Sequence, residues 1–355
     1  MKSLKHYILV IAISFLPFIS IFATPLAPHT HDSPVHFARI AAYYKALTDG
    51  QLLPRWAGEL NYGYGMPLFN FIYHVPYLIT SIPVAFGAGL VFSFKFALLV
   101  SFLLSGVFMY FFALRFFKHE GRAFITTMLY QFAPFHLVDL VVRGDMAEGY
   151  ALAFIPLVLY TITRSFEEKN TAKNIVFIGF ATLLLIISHN AISLVFFGVA
   201  ALFTLVFAPD NKKRVSALMG LALGLGLAAF YWLPALVERK FTYGDLFMKD
   251  MYKSHFAPIQ HFFIPNFTNN EAFLTGGIAV TLGLMQVVAL ISALYFLFKK
   301  KIIGINKTLA WFALFLTIMA LFVMQPVSQF FWSNIPILRM FQFPWRLLNV
   351  TTLSL

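Results

Sequence analysis

Apolar runs long enough to cross a bilayer recur along almost the whole chain, parted by short polar breaks. A crossing helix needs about 20 such residues. The pattern predicts spans over roughly 7–26, 94–114, 122–138, 147–163, 174–188, 190–208, 215–236, 275–298 and 308–325, with another beginning near 341. The stretch Leu68 to Leu90 is equally apolar, but His74, Pro76 and Pro83 interrupt it. It reads as a helix lying in the membrane surface instead of a crossing. The expected fold is an all-α polytopic membrane protein of about ten transmembrane helices. It forms a single membrane domain over 1–355, with 27–93 as a first outer loop carrying interfacial helices and 94–355 as the remaining bundle. The chain stops at Leu355 inside an apolar helix, so a further C-terminal part is expected.

The polar breaks alternate in kind. Met1 to His6, Arg115 to Arg122, Arg164 to Lys173, Asn211 to Arg214 and Lys299 to Lys307 together hold 15 of the 26 Lys and Arg in 37 residues. Placing these on the cytoplasmic side satisfies the positive-inside rule at each turn. Ten of the 14 acidic residues and eight of the ten histidines then fall on the outer side. Acids contribute little to orientation, so function is the better reason for that bias, and the chemistry is expected to face outward.

Composition sharpens this picture. Hydrophobic residues make up 60% of the chain and charged residues 11%, so each ionisable group near the membrane needs a reason to be there. The net charge of +12 would point to nucleic acid in a soluble protein; in short loops between spans it is a topology signal, and no nucleic-acid partner is expected. The absence of cysteine removes disulfides, thiolate metal sites and cysteine nucleophiles.

The densest polar stretch is His31-Asp32-Ser33-Pro34-Val35-His36-Phe37-Ala38-Arg39. Ser33 followed by Pro34 predicts a helix start, with a capping hydroxyl and then proline at the first position. The helix should run to about Thr48 and stop at Asp49-Gly50, with His36, Arg39 and Tyr43 on one face. Asp32 would sit where the helix dipole favours an ionised carboxylate, either as a base or as a plain cap. Asn61-Tyr-Gly63-Tyr-Gly65-Met-Pro67 reads as a tight turn. Trp56, Tyr62 and Tyr64 read as an aromatic belt or a sugar-stacking surface. In the second outer loop, Arg143-Gly144-Asp145-Met-Ala-Glu148 puts two acids three apart at a helix start, able to bind a metal, orient a hydroxyl or cap the helix. Ser188-His189-Asn190 divides two apolar runs and places His189 on the same face, where Arg339 and Arg346 also fall.

Taken in order, these stretches resemble the GT-C superfamily, multi-span glycosyltransferases that use polyprenyl-phosphate-linked sugars. The order matches from the first span to about Ala208: one span, an outer loop with an acid opening a helix, then Gly50, Pro54 and Trp56, the Pro67-Leu68-Phe69 segment, a span ending in basic residues, and a second acidic loop. Asp32-x-x-x-His36, Gly63-x-Gly65-x-Pro67, Ser188-His189-Asn190 and Phe343-Pro344-Trp345-Arg346 are similar to the YfhO-like and 6-pyruvoyl-tetrahydropterin synthase-related membrane proteins. The pterin label carries no soluble synthase here, since its histidine-rich zinc scaffold is missing from the sequence. Two departures stand out. The paired acid of better-studied relatives is replaced by His31-Asp32-Ser33, and a lysine that some of them carry is His189.

The resemblance implies an enzyme that moves a sugar from a polyprenyl-phosphate donor to an extracytoplasmic glycan, lipid or protein, in a bacterial plasma membrane with its site facing outward. Asp32, with His36 and Asp145, would form the catalytic set. Arg39, His189 and Arg346 would bind the donor phosphate. Glu148 and His31 would position the acceptor or a divalent ion such as Mg or Mn. The rival readings are a transporter or flippase for a lipid-linked glycan, and a membrane assembly protein without catalysis.

Overall fold

In the computed structural model, the described residues are 2–264 and 279–355. They are helical, with loops and an isolated pair of bridging residues, Ala57 and Met66. By length and composition five helices can cross a membrane: Leu4–Phe22, Leu90–Phe117, Met146–Glu167, Asn190–Phe207 and Gly304–Val323. Two bent pairs raise this to seven among the described residues: Glu120–Gln131 with Pro134–Arg143, bent by 53°, and Asn211–Leu227 with Ala229–Phe241, bent by 59°. The periodicity predicts more, about ten. The difference lies in the short apolar helices Thr171–Ile186 and Leu284–Phe298, of 16 and 15 residues. At 1.5 Å per residue Leu284–Phe298 reaches about 22 Å, short of a hydrocarbon core about 30 Å thick. Thr171–Ile186, by contrast, fills the predicted 174–188 segment and returns the chain from Glu167 to His189, at the opposite ends of Met146–Glu167. The predicted 275–298 span begins at residues that lie outside those described. The predicted span near 341 is a 3-10 turn, Pro344–Leu347, followed by the helix Leu348–Ser354.

The chain divides into two compact units, Met1–Met128 with Asp139–Phe241, and Leu129–Val138 with Thr242–Leu355. The first contains α1 (Lys2–Ser14), α2 (Ser33–Thr48), α3 (Val75–Ala85), α4 (Leu90–Phe117), most of α5 (Glu120–Gln131), α6 (Met146–Glu167), α7 (Thr171–Ile186), α8 (Asn190–Phe207), α9 (Asn211–Leu227) and α10 (Ala229–Glu238). Its centre is α6, whose most apolar stretch is 89% buried, whereas the Leu4–Phe22 stretch is 17% buried and can meet lipid. Side chains pair up in order along α4 and α6: Phe108 with Phe154 at 6.1 Å, Phe111 with Tyr160 at 6.0 Å, and Arg115 with Glu167 at 2.7 Å. The two helices therefore run parallel. Phe112 with Phe203 and Phe116 with Phe207 give α8 the same direction, so the starts of α6 and α8 lie at one end of the set.

The helix α3 has 11 residues, about 16 Å, and cannot cross, in keeping with the reading of Leu68 to Leu90. The helix α2 spans Ser33–Thr48, as the sequence predicts, but its cap differs. Asp32 occupies the N-cap without a side-chain capping bond, and the Ser33 hydroxyl donates to the Pro28 carbonyl at 3.0 Å. Thr30 Oγ1 accepts the Ser33 amide at 3.0 Å in its place. The predicted turn at Asn61 to Gly65 is present, with φ of 56° and 58° at Asn61 and Tyr62 and 83° and 75° at the two glycines.

The second unit holds α11 (Leu284–Phe298), α12 (Gly304–Val323) and α13 (Leu348–Ser354). Within it, Thr317 and Ser354 hydroxyls meet at 2.9 Å, Gln286 Nε2 donates to the Leu129 carbonyl at 3.0 Å, and Tyr252 stacks on Trp332 at 5.4 Å.

Candidate functional site

Where α6 begins, the apolar pattern of the preceding segment changes geometry. Val138–Arg143 is a π-helix, a form that recurs at functional sites because it redirects side chains out of the usual register. It brings Asp139 and Arg143, four residues apart, onto one side, where Arg143 Nη1 donates to Asp139 Oδ1. Gly144 then turns the chain with φ of 75°. A Cβ there would crowd Thr30 and lie 3.2 Å from Phe94 Cζ, so only glycine lets this turn lie against the first loop. The two loops are also joined through the backbone: His31 N donates to Val142 O at 3.2 Å and Asp32 N to Arg143 O at 2.9 Å.

Arg143 is the hub, with its side chain 4% exposed. Nη1 reaches Asp139 and also Glu148 Oε1 at 3.0 Å; Nη2 reaches Asp145 Oδ2 at 3.0 Å and Asp32 Oδ2 at 3.9 Å. Asp145 does two jobs, since its Oδ1 caps α6 by accepting Ala147 N and Glu148 N, each at 3.0 Å. His189 caps α8 in a similar way, with Nδ1 accepting Ile192 N at 3.1 Å. A neutral ring so used carries its proton on Nε2, which lies 3.8 Å from Glu148 Oε1. Asp139, Asp145, Glu148 and His189 are all buried. Asp32 is the open member, its side chain 41% exposed.

A second network packs alongside. His36 Nδ1 lies 3.0 Å from the Tyr77 hydroxyl, which Arg39 and Tyr73 also engage. Tyr43 hydrogen-bonds His74 Nδ1 at 3.0 Å. Tyr73 stacks on both Tyr77, at 5.6 Å, and His189, at 5.8 Å. Burial pushes the His36 imidazole down to about 4, so it is neutral at pH 7. Burial, with Arg55 nearby, holds His74 down to about 4 as well.

Of the residues singled out in the sequence, Asp32, Asp145, Glu148 and His189 therefore meet around Arg143. His36 and Arg39 meet at Tyr77 instead. His31 joins through its backbone, with an exposed side chain. Arg346 belongs to the second unit, where Nη1 donates to Phe341 O at 3.2 Å and Gln342 Oε1 at 2.9 Å and the guanidinium lies over the Phe343 ring. Sequence reasoning gave Asp139 and Tyr77 no role and left Arg143 as one charge in a loop. The available signal was an acid inside an apolar run, four residues before an arginine.

Among the described residues, Asp145, Glu148 and His189 place ligand atoms within 4.8 Å of one another, the spacing of a shared cation. Their bonds oppose that use. Both Asp145 oxygens accept hydrogen bonds, Glu148 Oε1 accepts from Arg143, and His189 Nδ1 is spent on the cap. The guanidinium stands where a hard divalent ion would collect these oxygens. The residues as arranged do not fit Mg or Mn.

Residues 69–348 match the 6-pyruvoyl-tetrahydropterin synthase related domain, a membrane protein family. The chain belongs to this family. It is also 22% identical over 221 residues to a protein of Lactococcus lactis subsp. cremoris (strain MG1363) described as uncharacterized. That alignment covers 59% of this chain and 36% of the relative, so the matched part spans about a third of the relative's length. The family match contains α6, Arg143, Glu148 and His189 and begins beyond Asp32.

Proposed function

We propose that this family member is a GT-C-type glycosyltransferase, moving a sugar from a polyprenyl-phosphate donor to an extracytoplasmic glycan, lipid or protein acceptor at the outer face of a bacterial plasma membrane. The observation that carries the reading is the half-open Asp32 carboxylate at the edge of a buried charge cluster, in an all-helical membrane protein. In this reading Asp32 takes the proton of the acceptor hydroxyl. The acceptor oxygen bonds to the anomeric carbon as the bond from that carbon to the phosphate oxygen breaks, and polyprenyl phosphate leaves with the electron pair. Arg39, partly exposed one turn from His36, is the first unit's candidate to meet that departing charge. Arg346 is the candidate phosphate contact of the second unit.

Purified protein supplied with a polyprenyl-phosphate sugar and an acceptor extract should form a glycosylated product. Asp32→Asn should abolish this while membrane insertion is kept; undiminished transfer by that variant would defeat the assignment.

The two helix pairs bent by 53° and 59° favour a second reading, a transporter or flippase for a lipid-linked glycan, because broken helices are a device of transporters. Vesicles loaded with the lipid-linked sugar separate the two. Movement across the bilayer without new glycosidic bonds would select the transporter.

A further inference from the structure

Four acidic side chains converge on one guanidinium, and three of them are shielded from solvent. Such a group is unstable without a cation at its centre. We propose that Arg143 is the built-in cation of this site, occupying among Asp139, Asp145 and Glu148 the place a divalent ion would take, and that through it Asp32 is held for contact with ligand. Arg143 is a positioning residue in this scheme, since its burial keeps it from touching a substrate.

The geometry supports it in three ways. The guanidinium fork divides its work, with Nη1 serving Asp139 and Glu148 and Nη2 serving Asp145 and Asp32. A planar, permanently charged fork suits this division and a lysine ammonium does not. Second, three of the four acids are fixed by the fold: Asp139 by the π-helix, Asp145 by its cap, Glu148 by the first turn of α6. The fourth, Asp32, is tied to Arg143 by a backbone bond and by charge across 3.9 Å. Third, α6 and α8 both start here, and their positive dipole ends favour acidic side chains at this place. The inference rests on the cluster alone and holds for any ligand of Asp32, so it can fail while the transferase reading survives, and the reverse.

The test is Mn2+ binding to the purified full chain in detergent, followed by electron paramagnetic resonance and by thermal melting. The wild-type protein should show no saturable Mn2+ site, and neither Mn2+ nor EDTA should move its melting temperature. Arg143→Met empties the centre and should bind Mn2+ at least about tenfold more tightly than wild type, with a melting temperature that Mn2+ raises. Arg143→Lys restores the charge without the fork, and should exclude Mn2+ as the wild type does but melt at a lower temperature. A saturable wild-type site that Glu148→Gln or Asp145→Asn removes would overturn the proposal, as would a folded Arg143→Met protein that ignores Mn2+. If Arg143→Met can be recovered only from cells grown with added Mn2+, the proposal is supported. If it cannot be recovered at all, the wild-type titration with Glu148→Gln decides.

Discussion

Arg143 and Arg115 stand at opposite ends of the same parallel helix set and use carboxylates in opposite ways. Arg115 pairs with Glu167 at 2.7 Å, and Lys118 reaches the same carboxylate at 3.0 Å, with all three side chains 28% exposed or more. Arg164 and Lys213 complete a solvated, basic surface at that end, where Lys213 donates to the Ser165 carbonyl. Charge there is diluted by water, and each pair contributes roughly 0–1 kcal/mol. At the Arg143 end the acids outnumber the cation and water is largely excluded. The folded chain keeps such an arrangement only because a π-helix, two helix starts and a glycine turn fix every partner. The comparison separates charge that serves orientation in the membrane from charge that the fold has been shaped to hold.

Removing one arginine from each end should break the symmetry most clearly. Arg143→Met leaves buried acids uncompensated and should cost about 3–5 kcal/mol, read as a large drop in melting temperature or in the yield of folded protein. Arg115→Met should stay within about 1 kcal/mol of wild type in the same melt; equal losses would erase the distinction drawn here. Acid should come next. His36 and His74 are held neutral in the folded protein, at about 4 against an ordinary 6.5. As pH falls below about 6.5 the unfolded chain gains protons that the folded chain refuses, so stability is lost down to about pH 4 and then levels off. For His36 alone this amounts to about 2 kcal/mol at pH 5. His36→Gln should flatten that part of the pH profile, and an unchanged slope would show the ring to be solvated. Gly144→Ala should cost at least about 1–2 kcal/mol from its left-handed backbone, with the contact to Thr30 and Phe94 added. Gly87, at φ of 83° with open space around it, is the matched control and should lose the backbone share only.

Much of this was legible in the chain itself. The limits of α2 follow from Ser33-Pro34 and Asp49-Gly50, and the capping role of Asp145 from its place three residues before Glu148. The interruption at Ser188-His189-Asn190 is where α8 starts. What could not be read was the backbone form. Nothing in Val138 to Arg143 announces a π-helix, and an ordinary helical register gives Asp139 no reason to share a centre with Glu148. Among the described residues, length and composition pick out five to seven spans where the pattern predicts about ten. Hydropathy records how apolar a run is, not where its helix begins: α7 fills its short predicted run, whereas α11 starts only at Leu284, inside the run expected from residue 275. The tyrosine network escaped because Tyr73 and Tyr77 lie in a stretch whose apolar character dominates the pattern.

The two backbone bonds between residues 31–32 and 142–143 have a consequence for biogenesis. Asp32 leaves the ribosome more than a hundred residues ahead of the arginine that holds it, and His189 follows later still. The first loop must therefore wait, bearing its carboxylate, while α4 and α5 are threaded into the bilayer. Assembly of the charged centre is thus a late, closing event in synthesis. Nascent chains arrested before residue 143 should leave the His31 to Arg39 segment open to protease, and chains extended beyond residue 207 should protect it.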